Sequence, residues 1–174
     1  MADSLGQALI LSLPLIVAGA LHMAVVRLGL LAALKIPIHR TWFGRNKTWR
    51  GLLVMPVTAA LGVALASVLW PEQFGGWNPV VLGAILGLAY ALAELPNSFV
   101  KRRLGIEPGK RPPRNAGWFA LADQADSAIG CSLIYGWALG LSLGTVLLLI
   151  ALGPAIHLMV NYNLYLMRLR KEPL

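Results

Sequence analysis

From Ser127 to Met167 the chain carries no Asp, Glu, Lys or Arg. As one α-helix this run would extend about 60 Å, roughly twice the hydrocarbon thickness of a bilayer. It therefore reads as two apolar helices folded back on each other, a fourth span of about Asp123 to Leu139 and a fifth of about Thr145 to Leu166, with the break at Gly140 to Gly144. A 174-residue water-soluble domain has no core large enough to hide such segments when 57% of its residues are hydrophobic, 13% are charged and the mean hydropathy is +0.68. The expectation is an all-α integral membrane protein.

Three earlier spans complete the reading. The first runs from about Leu5 to Leu34 and is expected to be retained, because Met1-Ala2-Asp3-Ser4 has no basic region and no convincing cleavage site follows. The second covers about Leu52 to Trp70 and ends in the Gly/Pro turn Pro71 to Pro79, which has no Lys or Arg. The third begins near Val80 and continues into Lys101-Arg102-Arg103, with Pro96 a candidate kink. The whole chain, 1–174, is expected to form one bundle of about five transmembrane helices with no soluble domain, its two basic loops at 35–51 and 101–120.

The fifteen Lys and Arg residues fall in three groups of six, six and three, at 27–50, 101–114 and 168–171. With five spans, all three lie on one side. The positive-inside bias makes that side the cytoplasm, so the N-terminus is expected outside, the C-terminus inside and the protein in the cytoplasmic membrane as a multi-pass chain. The same bias accounts for most of the net charge of +8, which removes the case for nucleic acid. Cys131 has no second cysteine to pair with and reads as a packing residue.

Chemistry needs groups other than these. Four of the seven carboxylates, Glu94, Glu107, Asp123 and Asp126, lie neither at a terminus nor in the external turn. Glu94 falls inside the third span, where a charge is costly unless paired, hydrated or metal-bound. Helical spacing puts Asn97, Ser98 and Lys101 on roughly the same face, so a polar stripe leads from the membrane to the basic loop. An ion pair between Glu94 and a loop cation is the plain structural alternative. Asp123 and Asp126 are three residues apart and face one way in a helix, which suits either a divalent cation or simple N-terminal capping. Asn46-Lys47-Thr48-Trp49-Arg50-Gly51 offers cations, a hydroxyl and amides suited to a phosphate chain, without P-loop spacing. Trp42, Phe43 and Trp49 read as interfacial anchors, and His22, His39 and His157 are scattered as packing or interface residues.

Gly44 to Gly51, then Ser98-Phe99-Val100-Lys101-Arg102-Arg103-Leu104-Gly105, then Asp123-Gln124-Ala125-Asp126, resemble the three signature regions of the CDP-archaeol synthase family, in order and over most of the chain. The resemblance implies a five-span enzyme that uses CTP and Mg2+ to convert an isoprenoid glyceryl-ether phosphate, or a related glycerolipid phosphate, into its CDP derivative with release of pyrophosphate. It assigns Asp123, Asp126 and Glu94 to the metal, and Asn46, Lys47, Thr48, Arg50, Ser98, Lys101 and Arg102 to the nucleotide, with Lys47, Lys101 and the two aspartates closest to the chemistry. The chain departs from the family pattern in having Glu94 where an aspartate is expected, and in extra length at Arg114 to Ala120.

Other readings weigh less. A CDP-alcohol phosphotransferase would show an Asp-Gly pattern with paired downstream aspartates, which is missing. A small transporter or ion-channel subunit would place its charge near the midplane, whereas the polar groups here crowd one interface. An anionic-lipid-binding scaffold would leave Glu94 and the aspartate pair without a role.

Overall fold

The computed structural model describes residues 4–110 and 116–166, and among them five long helices and no strand. They are α1 (Ser4–Arg27), α3 (Trp49–Leu69), α4 (Pro79–Arg103), α5 (Ala116–Leu139) and α6 (Leu143–Leu166), with a one-turn α2 (Arg40–Phe43) between the first two. By length and composition α1, α3 and α4 can each cross a membrane. The remaining two, 24 residues each, match α1 in length. In packing, α1 meets α3, α3 meets α4, α4 meets α5, α5 meets α6, and α6 returns to α1.

Helix boundaries follow local chemistry. The first helix stops at Arg27, short of the expected Leu34, because Gly29 (φ 67°) and Leu31 (φ 53°) turn left-handed and leave only a 3-10 turn at Ala32–Leu34. At the other extreme α5 starts at Ala116, about two turns ahead of the expected Asp123, so the two aspartates lie within the helix and not in its first turn. Capping therefore does not explain them. The break in the long uncharged run falls at Gly140 (φ 61°), where Ser142 Oγ caps α6 by accepting from Thr145 N at 3.2 Å.

Lipid tails are as apolar as leucine, so helices in a bilayer associate by close packing of small residues. A Cβ at Gly83 would stand 2.5 Å from Ala60 Cα, and one at Gly87 2.4 Å from the Met55 carbonyl oxygen. These two glycines let α4 lie directly on the backbone of α3. Gly130 against Ala93, and Gly153 against Ala128, repeat the device between α4 and α5 and between α5 and α6. The buried core includes Leu11, Val63, Phe74, Leu82, Leu86, Cys131 and Tyr135, with Cys131 in the packing role expected of it.

Alternating helix direction brings 35–48 and 104–110 to one end of the bundle. Ile38 N donates to Lys47 O and Trp49 N to Ile36 O, a short antiparallel bridge that pinches the first loop at its base. Beyond the pinch α2 lies on α4, with Trp42 edge-on to Phe99 at 6.0 Å. Ile106 is buried after the left-handed Gly105, folding 105–110 back until Pro108 lies close to Gly44. The expected extra length before Asp123 (114–120) lies partly, and the basic tail at 168–171 wholly, outside the described residues.

Candidate active site

At the cationic end the helices leave two clefts of about 350 and 380 Å³ that share Asn46, Lys47 and Glu94. The smaller is polar and holds eight of the ten residues expected at the site: Asn46, Lys47, Glu94, Ser98, Lys101, Arg102, Asp123 and Asp126. They come from the first loop, α4 and α5, which only the folded bundle brings together. Thr48 and Arg50 line the other cleft, which runs down between α1, α3 and α4 along Met23, Val26, Leu52, Met55 and Leu95.

In the polar cleft the charges interlock. Lys101 Nζ donates to both carboxylate oxygens of Asp123. Asn97 Nδ2 donates to Asp123 Oδ1 at 2.7 Å and to Asp126 Oδ2 at 3.2 Å, so one amide draws the two carboxylates together. Asp126 is held further by the amide of Ser127 at 2.7 Å. Asn97 was visible in the sequence as part of the polar stripe, three residues beyond Glu94 and four before Lys101, but only its contact across to α5 gives it a role.

Glu94 forms an ion pair with Lys47, joining α4 to the first loop. An unpaired acid at the centre of a membrane helix costs roughly 3 kcal/mol, and a half-buried partner lowers that. The sequence left this pair and a metal role as alternatives for Glu94, and the fold supplies the pair. Among the described residues no three His, Cys, Asp or Glu side chains converge on one point. An ion held here must complete its shell with water and phosphate oxygens, the habit of Mg2+, and the hard oxygens of Asp123 and Asp126 drawn to one amide suit it.

The cations are arranged for an anion. Arg102 packs beneath Gly44, whose left-handed backbone (φ 90°) makes room for it, and its Nε and Nη1 are buried without a partner among the described residues. A buried guanidinium with idle donors is expensive unless a ligand completes it. Phe43, one of the three expected anchors, lines the polar cleft, while Trp42 and Trp49 are exposed.

Basic residues, an amide-linked aspartate pair and an adjoining apolar cleft at one end of a helical bundle define a membrane protein equipped to bring a polyphosphate to a lipid. The family model CarS-like, described as CDP-archaeol synthase, matches residues 34–173, and the chain belongs to this family. It is 31% identical to a CDP-archaeol synthase of Aeropyrum pernix over 98% of this chain and 93% of the relative. It is 35% identical to one of Methanosphaerula palustris over 77% and 82%, and 26% identical to one of Sulfolobus acidocaldarius over 77% and 76%. No solved structure matches the chain at a significant level.

Proposed function

We infer that the protein is a membrane cytidylyltransferase of phospholipid biosynthesis, which converts a glycerolipid phosphate and CTP into the CDP-lipid and pyrophosphate. Family membership supports the activity. The observation that carries the site is the single cleft in which Asn97 joins Asp123 to Asp126 beside Lys101, Lys47 and Arg102.

In the reaction a phosphate oxygen of the lipid attacks the α-phosphorus of CTP, the bond to the β-phosphate oxygen breaks, and pyrophosphate leaves with the electron pair. No strong base is needed, because a phosphate monoester is already largely dianionic near neutral pH, with a second pKa of about 6. Asp123 and Asp126 are the residues to hold Mg2+, and Glu94 in the same cleft is the third candidate. The ion supplies charge neutralisation and orientation of the phosphate oxygens. Lys47, Lys101 and Arg102 stabilise the charge that gathers on pyrophosphate. Asn46 and Ser98, which line the same cleft, would donate hydrogen bonds to the phosphates or the base. The lipid's chains lie along the apolar cleft. By the positive-inside bias the cationic end faces the cytoplasm, where CTP is available, and the N-terminus faces out.

The test is turnover by the purified protein with CTP, Mg2+ and an isoprenoid diether glycerol phosphate, followed by pyrophosphate release and formation of CDP-lipid. An ester-linked phosphatidate in a parallel reaction separates the two lipid classes. Absence of turnover on both would remove the assignment.

A further inference from the structure

A second group of donors lines the apolar cleft, and one of its members, His22, was not a site residue in the sequence reading. In the apolar cleft Arg50 is 7% exposed, its Nη1 donates to Leu30 O at 3.2 Å, and its Nε has no partner among the described residues. His22, five residues before the end of α1, lines the same cleft, and its imidazole makes no hydrogen bond or ion pair among the described residues. It approaches the first turn of α3 at Gly51, where an added Cβ would stand 3.7 Å from Nε2. Thr48, which caps α3, and Gly51 in its first turn line the same cleft. A buried guanidinium with an idle donor, an imidazole and a helix N-terminus form a seat for an anion. Met23, Met55 and Leu95 are among the other walls of the cleft, so a fitting ligand is anionic at its head and apolar elsewhere.

We propose that Arg50 and His22 bind the phosphomonoester of the lipid acceptor, in a subsite separate from the nucleotide cleft. This rests on the cytidylyltransferase reading and moves Arg50 from the nucleotide, where the family resemblance put it, to the lipid. The Lys47–Glu94 pair, which lines both clefts, then stands where the two substrates meet. The lipid phosphate then enters from the α1–α3 side and the nucleotide from the α4–α5 side, and in-line attack requires the lipid oxygen to reach the α-phosphorus opposite the leaving pyrophosphate.

The test is steady-state kinetics of the full chain with both substrates varied, using CTP, Mg2+ and an isoprenoid diether glycerol phosphate. His22→Leu, which keeps the bulk and removes the donor, is expected to raise KM for the lipid phosphate by about tenfold and leave KM for CTP within about twofold. Arg50→Ala is expected to raise the lipid KM by about a hundredfold, with partial recovery in Arg50→Lys. A rise in the CTP KM in place of the lipid KM, or unchanged constants in His22→Leu, overturns the subsite. If Arg50→Ala does not fold, His22→Leu decides alone. Wild-type turnover in the same assay keeps the outcomes apart, since its failure removes the activity itself, whereas the wrong KM split removes only the subsite.

Discussion

The two ends of the bundle are built from similar turn chemistry and differ in what they leave unfinished. At the end without cations, Trp77 Nε1 donates to Ala138 O at 2.9 Å and its ring meets Trp137 at 5.6 Å. Phe74 is buried beneath, and Asn78 Oδ1 accepts from both Val80 N and Val81 N to cap α4. Its contacts close the turn, and the described buried side-chain atoms without a partner there are two neutral ones, Gln73 Oε1 and, one turn inside α5, Tyr135 Oη. At the cationic end three guanidinium nitrogens of Arg50 and Arg102 lack one among the described residues. A fold under no demand but stability would satisfy those donors or remove them, since a buried charge without its partners costs several kcal/mol. The closed end is built for stability and the open end for a ligand.

Substitutions at the two ends should accordingly separate activity from stability. The largest effect is expected for Asp123→Asn, which removes a charge proposed to hold Mg2+ from a side chain that is 52% exposed and so asks little of the fold. CDP-lipid formation should fall by about a thousandfold or more while the melting midpoint stays nearly unchanged. Equal turnover by the variant would defeat the site. Lys47→Ala should cost about a hundredfold, and because Lys47 is paired with Glu94 its effect should not add to that of Glu94→Ala. A strictly additive double-mutant cycle would show the two side chains acting independently.

Asn97→Leu should reduce activity by about ten- to a hundredfold and raise the Mg2+ concentration needed for half-maximal rate, since the amide only positions the carboxylates. A lowered rate with an unaltered Mg2+ requirement would assign Asn97 to packing alone. At the closed end Trp77→Phe should lose the hydrogen bond to Ala138 and about 1 kcal/mol of stability, with CTP turnover retained. Loss of activity there at unchanged stability would undo the contrast between the ends.

Much of this was legible before folding. The uncharged run from Ser127 to Met167, the grouped cations and the Gly/Pro turn at 71–79 mark helices, their number and their alternation, because hydropathy and charge are properties of single residues that a bilayer sorts directly. The signature stretches could be placed on loops and helix ends by the same means. The length of α1 was less legible, since Gly29 and Leu31 end it inside an apolar stretch where hydropathy does not change. Hidden entirely was the role of His22, which reads as one scattered histidine until α1 and α3 are set side by side.

The amino-acid order alone determined a helical membrane bundle with its cations and most of its acids gathered at one end. Tertiary structure decided how those groups are shared: Asn97 between two aspartates, Lys47 between two clefts, Arg50 on the apolar side and Arg102 on the polar one. The physical reason is rotation. A helix presents a different face every 100° or so per residue, and which face meets which neighbour is set by where Gly83 and Gly87 let α4 lie against α3, a match between distant surfaces that no local pattern contains.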